Sequence, residues 1–229
     1  MNCLSKIGLF LWLIFISKVL SAQELISNAE IQNSDPLLYN GKFYTFHPPL
    51  ASEGNQFFSD RKFINGTIKL RGVVYTNQMI NYDIYNQQLI LRYEQSTTGV
   101  NQIISSEAWL ESFNINETSF EIFSSQDSAK KIFQVIGRGS YRILYYWKKD
   151  LELDGFHGST TFVFSKPEKE MSLYSKGGIL KYRNNKSFYS LFEPDKNLLV
   201  KSYLRNHKLN VKKADDKSMS ELISYCNNL

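Results

Sequence analysis

Ile80-Asn81-Tyr82-Asp83-Ile84 alternates apolar and polar side chains residue by residue, and Leu89, Leu91 and Tyr93 continue the pattern against Gln88, Ile90, Arg92 and Glu94. A period of two is that of a β-strand. The region 67–93 therefore reads as three consecutive strands, with turns expected near Thr76-Asn77 and Asn86-Gln87. Upstream, Asn40-Gly41 has the composition of a type I′ hairpin turn, in which both central residues take positive φ. Downstream, Ile115, 120–123 and 132–136 predict further short strands. Tyr141, Ile143, Tyr145 and Trp147 then alternate with Arg142, Leu144 and Tyr146. Asp154-Gly155 predicts a hairpin turn into an antiparallel return over 160–164, and Lys176-Gly177-Gly178 a further turn into 179–182. Regularly spaced short strands with turn residues between them describe an antiparallel sheet, and the 14 Tyr and 16 Phe of the chain suit its pleated surface.

The period changes near the C-terminus. Residues 187–192 allow a helical turn, and Pro194 fits a first helical position, where its missing N–H costs nothing. Leu198, Leu199, Tyr203 and Leu204 form an apolar stripe ending near Asn206. Ser218 and Glu221 have capping-box spacing, and Met219, Leu222, Ile223 and Cys226 occupy one helical face. The expected class is α+β: an antiparallel, meander-like β-sheet or partly closed barrel followed by a C-terminal helical segment over about 187–229, with the helices on one face or end of the sheet.

The N-terminus carries an address. Lys6 provides a positive n-region, residues 7–16 are apolar apart from Gly8, and Leu20-Ser21-Ala22 precedes Gln23. That is the layout of a secretory signal peptide over 1–22. The expected organisation is this signal, a leader or linker over 23–38 ending near Asp35-Pro36, and one β-rich domain over 39–229. The apolar run is shorter than the ~20 residues a spanning helix needs, so no transmembrane helix is expected after cleavage. The expected location is secreted or periplasmic. Cys3 leaves with the signal, so Cys226 has no internal disulfide partner and is expected inside the last helix face.

The formal net charge of +5 falls by two when Lys6 and Lys18 are removed. This is too mild and dispersed for nucleic acid, and Lys130-Lys131, Lys148-Lys149 and Lys212-Lys213 read as solvated surface. His47, His157 and His207 lie in an extended X-Pro segment, a hairpin loop and a helix end, with no metal-ligand spacing. Gly137-Arg138-Gly139-Ser140 does not match a nucleophile elbow, and there is no P-loop or dinucleotide fingerprint. Glu117 and Glu121 are carboxylates without a catalytic context. Asp150, Glu152 and Asp154 place oxygen ligands at alternate positions before Gly155, as at the opening of a calcium loop; the twelfth position, however, is Thr161 where a bidentate Glu belongs. A strand edge closed by an Asp-Gly turn accounts for them equally. No cofactor is expected. Asn65, Asn116 and Asn185 begin Asn-x-Ser/Thr triplets.

Leu38-Tyr39-Asn40-Gly41, Tyr82-Asp83-Ile84 and the tail from Tyr182 through Phe188, Leu191-Phe192 and Lys201 to Tyr225 are arranged as in a family of uncharacterised secreted proteins of Bacteroidetes-type bacteria, which the chain resembles over nearly its whole mature length. The motifs are structural, so the resemblance transfers no active site. It implies a Gram-negative envelope or secreted location, where the Asn triplets carry no glycan.

These observations predict a non-catalytic extracytoplasmic protein used in binding or envelope assembly, whose partner is an envelope protein or a small ligand. One alternative is a barrel that binds an apolar or glycan ligand, with Tyr145, Trp147, Phe162 and Phe164 lining its cavity. Another is a hydrolase with dispersed residues, drawing on Asp83 or His157.

Overall fold

A computed structural model describes residues 35–95, 99–124, 130–155 and 161–229. The expected signal peptide, most of the leader and His157 lie outside the described residues. A short helix α1 (Pro36–Tyr39) opens the described chain. Eleven of the strands build one antiparallel sheet: β1 (Lys42–Phe43), β2 (Ile64–Leu70), β3 (Val73–Asp83), β4 (Gln88–Gln95), β5 (Gly99–Ile104), β6 (Leu110–Ile115), β7 (Thr118–Phe123), β8 (Lys131–Ile136), β9 (Tyr141–Lys148), β12 (Glu168–Ser175) and β13 (Gly178–Tyr182). Their spatial order is β1-β5-β4-β3-β2-β6-β7-β8-β9-β12-β13, an open sheet. β10 (Leu151–Leu153) and β11 (Phe162–Phe164) form a separate hairpin. Helices α2 (Asn185–Tyr189), α3 (Pro194–Asn206) and α4 (Asp216–Asn227) follow. This is the expected α+β arrangement.

The connection between β5 and β6 forces the sheet to coil. Between them lie β4, β3 and β2, so in a flat sheet their axes would be roughly 19 Å apart. The antiparallel steps also leave β5 and β6 running in the same direction, so the link would have to climb back a further ~20 Å along the strands. Fully extended, residues 105–109 reach only about 20 Å, and they are not extended: Leu110 N–H donates to Ser106 O at 2.9 Å. Coiling brings the end of β5 over the opposite ends of β6–β8. The Gln87 side chain, in the β3–β4 turn, accordingly donates to Trp147 O at the end of β9 at 2.8 Å.

The concave face is filled by two cores. Ile68, Ile80, Tyr82, Leu91, Phe113 and Phe120 pack inside the coiled part, with Leu38 closing it. Phe113 and Phe120 stack at 4.7 Å, and Tyr82 meets both edge-on. The other half of the sheet packs Ile143, Tyr145 and Leu173 against α2–α4. Met219, Leu222, Ile223 and Cys226 are all fully buried there, each apolar side chain contributing roughly 1.5–3 kcal/mol. Trp147 packs on both cores and its indole N–H donates to Gln134 at 2.7 Å.

Several local expectations are corrected. The β2–β3 turn is at Arg71-Gly72, whose φ values are 46° and 83°; β3 runs straight through Thr76-Asn77. Asn77, at φ 56°, sits at the irregular register opposite Gly66 and Ile68, so its turn-like conformation makes a bulge. Asn40-Gly41 makes no hairpin: Asn40 ends α1 at φ −80° and Gly41 leads into β1. Glycine is needed at 41 because a Cβ would collide with Ile104 O. Asp35 caps α1 and accepts from Tyr75 OH at 2.7 Å, tying the end of the expected leader to β3. The cap of α4 is Asp215, which accepts from Ser218 N–H, and not the expected Ser218–Glu221 box. Asp154-Gly155 is not a two-residue turn, because Leu153 pairs with Phe162 and Asp154 N–H reaches Thr161 O.

Candidate functional site

The most polar buried node gathers around Asp83, at the end of β3. One carboxylate oxygen accepts from the backbone N–H groups of Tyr85 and Asn86 at 3.0 and 2.8 Å. The other accepts from Tyr44 OH and Asn86 Nδ2, both at 2.7 Å. Gln56 donates in turn to Tyr44 OH. Burial pushes the Tyr44 phenol well above its ordinary range. Lys149, only 7 % exposed, donates to Asn55 O and Phe57 O at 2.7 Å each. The Lys148-Lys149 pair is thus half interior, a correction to its reading as solvated surface. Burial without a contacting carboxylate lowers the Lys149 ammonium, the Asp83 charge opposing this. Both charged groups have their hydrogen-bonding capacity filled by protein partners. The node therefore ties the segment 44–57, the β3–β4 turn and the start of β10 together, and leaves Asp83 no lone pair aimed at a substrate.

The other sequence candidates are dispersed. Tyr145 is fully buried beneath the helices and Trp147 is wedged between the cores. Phe164 packs edge-on against Tyr85 at 5.6 Å, and Phe162 pairs with Leu153 in the small hairpin. These four aromatics do not meet around one cavity. Asp150, Glu152 and Asp154 are spread along or beside β10, and among the described residues no group of three or more His, Cys, Asp or Glu is placed to hold a metal ion. His207 caps α3 and stacks on Tyr203 at 3.9 Å, while His47 is exposed in the segment between β1 and β2. Glu121 is paired with Arg142 at 2.9 Å and Glu117 is exposed in the β6–β7 turn. Gly137-Arg138-Gly139 serves as a dock for α4: Asn227 Nδ2 donates to Arg138 O and Tyr141 O. The Cys226 thiol is buried and pushed up to about 12 by desolvation.

Coiling creates a trough where the end of β5 crosses the strand ends of the sheet. Its wider part holds about 430 Å³ and is lined by Asn40, Lys42, Gln88, Ser105, Ser106 and Glu107. Glu107 also lines a second hollow of about 210 Å³, walled by Gln87, Lys131 and Tyr146 over the apolar floor of Ile122 and Ile132. Lys130 secures the dividing segment by donating to Ala108 O at 3.3 Å. Lys131 lies 5.1 Å over the Tyr146 ring. Ser105 is 3 % exposed, and its hydroxyl has no partner although its backbone N–H donates to Leu89 O. A buried hydroxyl without a partner costs about 1–3 kcal/mol. Amides and hydroxyls offer both donors and acceptors here, with one carboxylate and lysines at the rim.

Sequence reasoning missed every one of these trough residues. The only local cue is the switch from Ile103-Ile104 to Ser105-Ser106-Glu107, which marks a strand end without telling what it faces. No helix among the described residues is long and apolar enough to cross a membrane. No family model, curated protein or solved structure matches this chain.

Proposed function

We propose that the chain is a non-catalytic binding protein of the extracytoplasmic space, and that the trough between the β5–β6 link and the strand ends of the sheet holds a glycan. The N-terminal pattern of residues 1–22 supports the location, as does the resemblance to secreted proteins of Bacteroidetes-type bacteria. The observation that carries the binding reading is the Ser105 hydroxyl, buried in the trough wall without a hydrogen-bond partner. Sugar hydroxyls are donors and acceptors at once and match a wall of Gln88, Ser105, Ser106 and Asn40 better than an apolar ligand would. A trough of about 430 Å³ also falls within the size range of small-molecule sites.

The test is a glycan array probed with the mature chain, followed by titration of any retained glycan. Gln88→Ala and Ser105→Ala should each weaken binding by roughly five- to tenfold, the loss of one well-formed hydrogen bond. Absence of glycan binding, or binding unchanged in both variants, overturns the reading.

A further inference from the structure

A second cleft opens at the edge of the sheet where β12 begins and β13 ends beside the α3–α4 loop. It holds about 400 Å³. Lys169, Lys181, Arg183 and Lys212 line it against a single carboxylate, Glu170. That carboxylate is already taken: Lys181 Nζ lies 2.7 Å from its Oε2. Lys169, Arg183 and Lys212 have no ion pair among the described residues. Strand register puts Lys169 and Met171 on the face of β12 that packs on the helices, with Tyr182 opposite Met171. Lys212 arrives from the loop before α4. The cations thus come from three places in the chain and gather at one edge of the sheet.

Behind the cleft lie two buried phenols, of which Tyr182 lines it. Tyr182 is 2 % exposed and Tyr145 fully buried, and apart from each other neither hydroxyl has a hydrogen-bond partner. The two phenols lie close enough to share a hydrogen bond with each other. Desolvation pushes both far above their ordinary range, so they remain protonated donors at any physiological pH. The Lys169 ammonium is half-buried, 3.9 Å from the Tyr145 ring centroid and 5.6 Å from that of Trp147. Burial lowers it and the nearby Asp216 charge opposes this, but Asp216 is not within ion-pair distance. The Asp216 carboxylate accepts instead from Gln134 Nε2 at 2.5 Å. A half-buried cation, a phenol pair with one O–H left without an acceptor and two more cations at the rim are the components of an oxyanion receptor.

We propose that this cleft binds a phosphate group, with Lys169 and the Tyr182 hydroxyl as its inner contacts and Arg183 and Lys212 closing over the outer oxygens. The site is independent of the trough and shares no residue with it. Free phosphate and a phospholipid headgroup present the same chemistry, so both are tested. The mature chain is titrated calorimetrically with inorganic phosphate at low ionic strength, and separately floated with vesicles of phosphatidylcholine containing phosphatidylglycerol. Tyr182→Phe removes one oxygen and keeps the ring, and Lys169→Met keeps the apolar stem. Each should weaken binding roughly tenfold, as expected for a hydrogen bond to a charged group. Lys212→Ala should weaken it roughly two- to fivefold and flatten its salt dependence. Binding of phosphate that responds in this way identifies a free ion as the ligand; vesicle binding alone that responds in this way identifies a headgroup. Absence of both, or binding indifferent to Tyr182→Phe and Lys169→Met, overturns the proposal. Should Lys169→Met fail to fold, Tyr182→Phe and Lys212→Ala decide it.

Discussion

Lys149 Nζ donates to Phe57 O at 2.7 Å across 92 positions of sequence, and the same ammonium holds Asn55 O. This contact fastens the segment leading into β2 to the point where β9 hands over to β10. Replacing Lys149 by Met keeps the stem but strips two buried carbonyls of their donor. At about 1–3 kcal/mol for each orphaned group, Lys149→Met should destabilise the protein by roughly 2–6 kcal/mol in urea unfolding. A change under about 0.5 kcal/mol, the range of ordinary surface substitutions, would show that the contact does not bear on stability.

Asp83 makes the complementary prediction. Its carboxylate accepts from Tyr44, Asn86 and two backbone N–H groups, all of them donors. Asp83→Asn turns one acceptor into an NH2 that must face a donor. It should cost about 1–3 kcal/mol, and Tyr44→Phe about 0.5–1.5 kcal/mol. If Asp83 belonged to a hydrolytic site, Asp83→Asn would abolish an activity with stability intact; unfolding curves showing no loss of stability would contradict the structural role assigned to it.

The sheet and the last helix were legible in the sequence because their burial is periodic. Tyr141, Ile143 and Tyr145 face inward as their alternation requires, and the stripe from Met219 to Cys226 is fully buried. What failed were features whose meaning depends on a partner. Asn77 adopts the positive φ expected of a turn residue, but the opposing strand makes it a bulge. Lys149 looks like any surface lysine until the carbonyls of Asn55 and Phe57 close around it. The cleft is illegible for the same reason: Lys169, Arg183 and Lys212 share no local motif, and only the β12–β13 pairing and the α3–α4 loop bring them together.

Alkaline pH provides a collective test of burial. The phenols of Tyr44, Tyr82, Tyr145 and Tyr182 are raised above 10.0, chiefly by desolvation, and that of Tyr75 to about 12. Above pH 10 the unfolded chain releases these protons while the native one retains them, so stability is full below pH 10 and falls as pH rises beyond it. Lys149 and Lys169 act in the opposite direction: lowered from 10.5, they bind protons more readily in the unfolded chain, so their contribution rises with pH up to that value. The tyrosines outnumber them. The phenolate absorbance of these buried tyrosines should therefore appear in one cooperative step coincident with loss of circular dichroism, and the Cys226 thiol, raised from 9.0 to about 12, should react with a disulfide reagent only in that step. Gradual ionisation of every tyrosine in the folded protein would refute the packing described for both cores.

Two glycines at nearly the same backbone angle separate strain from crowding. Gly137 has φ 84° and Gly177 φ 81°. A Cβ on Gly177 meets nothing within 4 Å, whereas one on Gly137 would collide with Ile223 Cγ2, on the buried face of α4. Gly177→Ala should therefore cost only the left-handed penalty, roughly 1–2 kcal/mol. Gly137→Ala adds overpacking against the buried face of α4 and should cost roughly 2–5 kcal/mol. The pair is best read by urea unfolding of the two variants side by side. A further change, Ile223→Val, opens space on α4 and should recover part of the Gly137→Ala loss while doing nothing for Gly177→Ala. Equal losses in the two glycine variants would mean that α4 does not dock against the β8–β9 turn as described, and the helical core would need a different closure.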